Sequence, residues 1–461
     1  MILPKTIKDT REGLLKKEFS AVELVDAYLE RINNYDKDLN SFITVTSEKA
    51  YEDAKRISSL SSNLPLLGVV TSLKDLFSTK GIRTTAGSKV LEGYIPDYSA
   101  TVVKRLEEAG AIIIGKTNCD AWAHGASGEN SDFGETKNPW NNQFVPGGSS
   151  SGSAVAVASD FSLISTGTDT GGSIRQPASF CNVVGFKPTY GAVSRYGVVA
   201  MASSLDSVGH FSHTVSDARK VFEVTKGIDG HDSTLGSQKA EVRKTNKFRI
   251  GIPKEYFTNG LDKEVEKIVR DAIDVYKKQG VEVVDVSLPH TKYAIDVYYI
   301  IQPAEVSSNL GRYDGVRYGN DRDSFGAEAK RRIMLGTYVL SAGYYDAYYL
   351  KAMRVRTKII EDFEKVFEKV DAVIAPVSPT PPFKLGEKST DPLEMYLADI
   401  LTAPANVAGI PGISIPGGFS KGGLPIGFQL LGPRWGEDII FSLGELFQKE
   451  TDYHLKSSFT K

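Results

Sequence analysis

The apolar residues near the start of the chain recur at helical spacing. Ser20 followed by Glu23 has the spacing of a capping box, a pair of mutual hydrogen bonds that begins a helix. The apolar residues around and after it lie three or four positions apart and form one stripe: Val22, Val25, Leu29 and Ile32. This pattern predicts helices over about the first 45 residues.

Short apolar runs then alternate with helix-like segments. Residues 68–70 and 111–115 have the composition of buried strands, and a helix that ends at a glycine is predicted between them, over 101–110. A second strand–helix–strand unit follows: strands are predicted at 249–253 and 281–286. Its helix has an apolar face of Val265, Ile268, Val269, Ala272, Ile273 and Tyr276. The alternation predicts an α/β fold with a largely buried sheet.

The last third of the chain continues the same pattern. A long helical stretch is predicted from about residue 341 to 370, followed by a strand that ends at 375–377. Between the two halves, residues 227–247 are polar, which predicts an excursion over the surface.

Composition limits the class of protein. The chain has 461 residues, 41% hydrophobic and 24% charged, with a net charge of −2, so nothing in the total favours a nucleic-acid or membrane surface. The N-terminus lacks the pattern of a signal peptide, and no apolar run approaches the length of a membrane span. Cys119 and Cys181 form no metal or redox motif and are expected to be buried thiols. We expect a cytoplasmic protein with no membrane contact.

The stretch 138–209 is dense in Gly and Ser but also carries apolar residues, which indicates backbone packed closely around a site. Its first run, 147–153, fails as a phosphate-binding loop because Gly152 is followed by Ser153 and Ala154 instead of Lys and then Ser or Thr. No dinucleotide-binding fingerprint fits either.

The second run, 167–175, places Ser173 after two glycines. Glycines let a carbonyl approach the backbone, and successive N–H groups can point at a developing oxyanion, so Ser173 is a candidate nucleophile. The same run also fits a tight turn. A nucleophilic serine needs a base, and none of the six histidines lies in a recognisable triad motif: His124, His210, His213, His231, His290 and His454. Lys74, after the apolar run at 68–70, is the alternative base, although a lysine is usually a surface charge.

Three motifs together resemble the amidase signature family over nearly the whole chain. They are Lys74 in its position after a strand, the Gly/Ser run with Ser149 and Ser150, and the segment 169–177. Their spacing also agrees with that family. The resemblance implies one amidase domain over 1–461, with a central mixed β-sheet covered by helices on both faces. It would comprise N-terminal helices (about 1–60), a signature core (about 61–225) and a C-terminal α/β half (about 246–461).

The resemblance also implies a mechanism without histidine. Ser173 would attack an amide, and Ser149, on a cis peptide after Gly148, would pass the proton to Lys74. Because an ordinary lysine has a pKa of about 10.4, its neutral form lies roughly 4.6 kcal/mol uphill at pH 7. We therefore predict that Lys74 is desolvated. Three backbone N–H groups would hold the oxyanion, those of Thr170, Gly171 and Gly172.

Within that family, the segments 190–197, 203–206, 330–337 and 343–349 are most similar to the A subunits of bacterial aspartyl/glutamyl-tRNA amidotransferases. This implies that glutamine is the substrate and that its ammonia amidates Glu-tRNA(Gln), with Asp-tRNA(Asn) as a further possibility. A small C subunit and a B subunit would complete a heterotrimer. The B subunit would bind tRNA, ATP and Mg, and this chain would carry no metal or cofactor.

Glutamine carries two charges that a pocket must pair. The resemblance implies Arg332 for the α-carboxylate, with Arg331 as the alternative, and Asp399 for the α-ammonium. Tyr298 or Tyr299 would line the pocket. Two other interpretations stay open: a stand-alone amidase of the same family acting on another amide, and a non-catalytic assembly protein with the same fold. The intact serines and lysine disfavour the latter.

Overall fold

The computed structural model describes residues 2–57, 63–236, 247–388 and 392–458. Within these ranges one mixed sheet runs through the molecule in the order β1-β3-β2-β4-β6-β5-β10-β11-β9-β7-β8. Its strands are β1 Phe42–Val45, β2 Val70–Lys74, β3 Ile112–Thr117, β4 Ile164–Asp169, β5 Val184–Lys187, β6 Ser207–Ser212, β7 Arg249–Pro253, β8 Glu282–Val286, β9 Ala372–Pro376, β10 Gly412–Phe419 and β11 Pro425–Leu431. The expected α/β fold is confirmed.

Helices cover the sheet. They are α1 Ile7–Leu15, α2 Ala21–Leu39, α3 Ser47–Ile57, α4 Thr101–Glu108, α5 Ser151–Ala158, α6 Arg175–Cys181, α7 Val215–Thr225, α8 Lys263–Lys278, α9 Ala294–Leu310, α10 Ala327–Val339, α11 Lys351–Phe367, α12 Pro392–Leu397, α13 Ala403–Ala408 and α14 Glu437–Glu450. No described helix has both the length and the apolar character needed to span a bilayer.

Several local predictions are confirmed. Ser20 and Glu23 form the capping box that begins α2. The strand–helix–strand unit is β7, α8 and β8, with β7 parallel to β8 and all six predicted apolar residues of α8 buried. Cys119 and Cys181 are buried free thiols. Of the polar stretch 227–247, residues 237–246 lie outside the described residues.

Other boundaries were wrong. The run at 68–70 is not itself a strand, because Gly68 adopts φ +72°, and β2 starts only at Val70. It then continues to Lys74, so this lysine lies inside a fully buried strand and not after one. The predicted helix over 341–370 is shorter, since α11 begins at Lys351 and a π-helical segment, Tyr345–Leu350, precedes it. The pattern also missed β1 within the N-terminal region.

Small residues bring α5 against the sheet. Every residue of α5 is buried, and a side chain on Gly152 would overlap the carbonyl oxygen of Ser41. The Gly/Ser texture thus lets the start of α5 approach the start of β1 and the end of β3, as the sequence predicted for a backbone packed around a site.

The packing of β6 against β5 can be tested at a glycine of β6. A Cβ on Gly209 would overlap the carbonyl oxygen of Phe186, and that backbone atom cannot rotate away. We expect Gly209→Ala to lower the free energy of unfolding by about 3 kcal/mol, measured by urea denaturation. Gly260→Ala is the matched control, because nothing lies within 4 Å of its Cβ position. Equal stability of the two variants would contradict the packing described for β5 and β6.

Candidate active site

Lys74 ends β2 with its ammonium group fully buried. Its Nζ donates to three hydroxyl oxygens, those of Ser149 at 2.8 Å, Thr168 at 2.8 Å and Ser150 at 3.0 Å. Burial lowers the pKa of Lys74 to about 8, against the opposing effect of nearby acidic groups such as Asp120. The predicted desolvation of Lys74 is confirmed, and about a tenth of the amine is neutral at pH 7.

The two serines that contact Lys74 precede α5. The peptide bond from Gly148 to Ser149 is cis, as the family resemblance implied. Gln176 accepts a hydrogen bond from the Gly148 N–H at 3.0 Å and fixes this corner from α6. The Ser150 N–H in turn donates to the carbonyl oxygen of Ser173 at 3.2 Å. The chain segments of Ser149 and Ser173 are therefore joined by a backbone hydrogen bond next to Ser149.

Ser173 lies in the turn between β4 and α6. It is 7% exposed, whereas Lys74 and Ser149 are 0% exposed. Its hydroxyl makes no hydrogen bond with any described residue, and the same holds for the N–H groups of Gly171 and Gly172. Ser173 is thus the member of the predicted triad that a substrate reaches first, with two free donors directly before it.

Thr402 shapes that turn from the other half of the chain. Its hydroxyl donates to the carbonyl oxygen of Gly171 at 2.6 Å. Gly172 has φ +145°, and a Cβ there would overlap the Thr402 hydroxyl. Thr170 is held separately, because its hydroxyl donates to Asp206 at 2.8 Å. Burial raises the pKa of Asp206 to about 6.

A buried ion pair fixes both ends of the turn. Asp169, the last residue of β4, pairs with Arg175 through two contacts of 3.1 Å, and both side chains are fully buried. Arg175 also donates to Gln429 at 2.8 Å and to Asn406 at 2.6 Å. Burial alone would raise the pKa of Asp169, yet Arg175 and the surrounding hydrogen bonds hold it below its ordinary value. The carboxylate also accepts the N–H of Ile174.

Arg332 is buried on α10, at 3% exposure. Its Nε donates to Glu328 at 2.7 Å and its Nη1 to Gln302 at 3.0 Å. The neighbouring Arg331 is exposed and pairs with Glu328 at the surface. Of the two arginines that the sequence left open, Arg332 is therefore the one that can face a buried ligand.

Asp399 is 7% exposed, and its carboxylate makes no hydrogen bond with any described residue. Burial raises the pKa of Asp399 to about 8, although the charge of Arg332 opposes the shift. A buried carboxyl group without a partner, near a buried guanidinium, is an arrangement that fits a ligand bearing both charges.

The two candidate tyrosines occupy different places. The Tyr298 hydroxyl lies 2.9 Å from where a Gly171 Cβ would be, so its ring lies against the glycine turn. The Tyr299 ring stacks on Tyr396 with centroids 3.9 Å apart, and both rings lie within 5.6 Å of the Arg332 guanidinium carbon. Tyr298 is thus next to the candidate nucleophile turn, and Tyr299 is next to Arg332.

Sequence reasoning missed several residues of this site. Thr168 could have been found, because Thr166 and Thr168 share one face of β4 by strand alternation and both bond Lys74. No local signal marks the residues that arrive from distant segments: Gln302, Glu328, Tyr396, Thr402, Asn406 and Gln429. Among the described residues, no group of His, Cys, Asp or Glu side chains could hold a metal ion.

Comparison with known proteins agrees with these motifs. The Amidase family matches residues 23–441. The chain belongs to the amidase family. This amidase is 52% identical to the A subunit of glutamyl-tRNA(Gln) amidotransferase from Desulfatibacillum aliphaticivorans, with 98% of each chain aligned. It is 51% identical to the counterpart of that protein from Carboxydothermus hydrogenoformans, with 97% of each aligned.

Solved structures give the same family. The crystal structure of the glutamyl-tRNA(Gln) amidotransferase A subunit from Thermotoga maritima matches with a TM-score of 0.83 and 40% identity, covering 98% of this amidase and 97% of that chain. A 6-aminohexanoate cyclic dimer hydrolase matches with a TM-score of 0.88 but 25% identity, over 99% and 98%. The amidase fold is therefore shared by an amidotransferase subunit and by a cyclic dimer hydrolase.

The buried ion pair of this amidase gives a stability prediction. We expect Asp169→Asn to lower the free energy of unfolding by about 3–5 kcal/mol, because it leaves the Arg175 charge buried without its counter-ion. Arg175→Met strands Asp169 in the same way. The double variant removes both charges, so its loss, measured by urea denaturation, should be smaller than the sum of the two single losses by more than about 1 kcal/mol. Additive losses would show that the pair is not coupled.

Proposed function

We propose that this chain is the glutamine-hydrolysing subunit of a tRNA-dependent amidotransferase and that it supplies ammonia for the conversion of Glu-tRNA(Gln) to Gln-tRNA(Gln). The observation that carries the proposal is the fully buried Lys74, which is hydrogen-bonded to Ser149. The next residue, Ser150, donates its backbone N–H to the carbonyl oxygen of Ser173. Its relatives, the A subunits of glutamyl-tRNA(Gln) amidotransferases, align over nearly the whole chain. Asp-tRNA(Asn) is a second substrate to which the ammonia could be transferred.

Proton transfer starts from neutral Lys74. Ser173 Oγ attacks the side-chain amide carbon of glutamine, its proton passes to Ser149, and Ser149 gives its own proton to Lys74 Nζ. The lowered pKa of Lys74 keeps the neutral amine within reach at physiological pH. The lysine then returns a proton through Ser149 to the leaving nitrogen, and ammonia departs. Water cleaves the remaining glutamyl ester by the same proton path.

The developing oxyanion lies against the glycine turn. The N–H groups of Gly171 and Gly172 are free to donate, and with the N–H of Thr170 they form the oxyanion hole. The hydrogen bond from Thr402 to the Gly171 carbonyl holds the peptide plane, so the donors are in position before the reaction begins.

Two charged groups select the substrate. Arg332 binds the α-carboxylate of glutamine and Asp399 binds the α-ammonium, because each is buried and carries the opposite charge. Tyr298, whose hydroxyl lies against Gly171, lines the pocket, while Tyr299 supports Arg332 by stacking. An amide that lacks either charge leaves one of these groups buried without a partner.

The rest of the reaction belongs to other subunits. ATP and Mg bind to a B subunit that also binds the tRNA, and a small C subunit completes the heterotrimer. This division fits the net charge of −2, which gives this chain no general attraction for nucleic acid. We place the complex in the cytoplasm, where unpaired buried thiols such as Cys119 and Cys181 stay reduced.

A reconstituted complex tests the function. The chain is purified with B and C subunits and assayed for amidation of Glu-tRNA(Gln) and Asp-tRNA(Asn), with glutamine or ammonium chloride as nitrogen donor. Ser173→Ala should abolish the glutamine-dependent reaction and leave the ammonium-dependent one intact, since only the first needs the nucleophile. Glutamine-dependent activity retained by Ser173→Ala would refute the nucleophile assignment. If the unaltered chain hydrolyses other amides but supports no amidation, it is a stand-alone amidase.

The pH profile tests the base. In the free enzyme Lys74 must be neutral and Asp399 ionised, and both groups have a pKa of about 8. Below pH 8 each is mostly protonated, so kcat/KM for glutamine should fall by up to a hundredfold per pH unit and level off above pH 8. Asp399→Asn should lower kcat/KM throughout and reduce the slope to tenfold per unit. A flat profile between pH 6 and 8 would exclude Lys74 as the base.

A further inference from the structure

His124 lies at the end of a short 3-10 turn, Ala121–Ala123, that follows β3. Trp122 and Ala123, the two residues before it, have φ of +59° and +63°, a conformation that non-glycine residues rarely adopt. The carbonyl oxygen of His124 accepts a hydrogen bond from the Asn130 side chain at 2.6 Å. The backbone around His124 is thus held in place, and with it the direction of the Cα–Cβ bond.

The His124 imidazole is fully buried, and neither Nδ1 nor Nε2 has a hydrogen-bond partner among the described residues. A neutral imidazole carries one donor and one acceptor, and leaving both unsatisfied in the interior is costly. His210 shows the ordinary solution, because it is also buried but its Nε2 lies 2.8 Å from the carbonyl oxygen of Ala218. Both ring nitrogens of His124 therefore need a hydrogen-bond partner that the described residues do not provide.

That partner fits the cavity beside Arg332. His124 lines a cavity of about 340 Å³ together with Glu328, Arg332 and Tyr396. Burial first, and the Arg332 charge second, lower the pKa of His124 well below its usual range, so the ring is neutral at physiological pH. It can donate one hydrogen bond there without adding a second positive charge.

Arg332 leaves room for such a contact. Its Nε and Nη1 are engaged by Glu328 and Gln302, while no described residue accepts a hydrogen bond from Nη2. A ligand carboxylate at Nη2 has a second oxygen that needs a donor, and His124 is among the residues that line the same cavity.

We propose that His124 is a specificity-determining residue that donates a hydrogen bond from its imidazole to the substrate carboxylate bound by Arg332. The inference rests on the proposed function, since it takes glutamine as the ligand. It assigns this buried histidine a role in recognising an amino acid over a simple amide, separate from the proton path through Lys74.

The test measures glutamine binding by calorimetry in the Ser173→Ala background, where no turnover occurs. His124→Phe removes both nitrogens but keeps an aromatic ring, and it should weaken glutamine binding by about 10- to 100-fold. His124→Gln restores a donor on a side chain of similar reach and should recover at least part of that loss. His124→Met replaces His124→Phe if the phenyl ring prevents folding. His210→Gln is the matched control and should bind glutamine like the parent.

A second ligand separates recognition from general damage. 4-Aminobutanamide is glutamine without its α-carboxylate, and the preference of the active enzyme for glutamine over it, as a ratio of kcat/KM, should shrink by the same 10- to 100-fold in His124→Phe. An unchanged ratio, or glutamine binding equal to that of the parent, would overturn the role of His124 alone. If the Ser173→Ala parent binds no glutamine and the unaltered enzyme hydrolyses none, the proposed function is wrong and this inference is wrong with it.

Discussion

The site depends on one buried ion pair, between Asp169 and Arg175. These residues flank the turn that carries Ser173, and an unpaired charge at either position would cost several kcal/mol in the interior. Arg175 also reaches Asn406 on α13 and Gln429 on β11. The pair therefore fixes the position of the nucleophile turn relative to the pocket wall that carries Asp399, although some 230 residues of chain separate Asp169 from Asp399.

The same sheet that stabilises the fold produces the base. Lys74 ends a strand that has neighbours on both sides, its side chain is fully buried, and its three side-chain hydrogen bonds all go to hydroxyl groups. Hydroxyls bond the amine without a compensating negative charge, so desolvation prevails and the pKa falls. Lys116, equally buried on the adjacent strand, contacts the Asp75 carboxylate at 3.2 Å, and burial lowers its pKa too, although Asp75 opposes the shift.

The sequence predicted the features that depend on short-range interactions, and it missed those that depend on contacts between distant parts of the chain. The capping box at Ser20 and the strand–helix–strand unit around α8 depend on neighbours a few residues apart, and their periodicity was sufficient. Lys74 by itself looked like any surface lysine, and only the joint motif with Ser149 and Ser173 singled it out. Thr402 carries no local mark at all, because its role arises from a contact with Gly171, which lies far earlier in the chain.

The contact between Gly172 and Thr402 has a consequence for how such a site can vary. The threonine hydroxyl occupies the volume that a side chain at 172 would need, and the φ of +145° at Gly172 disfavours any side chain there, so a smaller residue at 402 would remove only one of the two obstacles. Position 172 is therefore expected to remain glycine whichever residue stands at 402. Divergence toward other substrates is expected to be freer at Arg332, whose hydrogen bonds go to Glu328 and Gln302 and not to the turn.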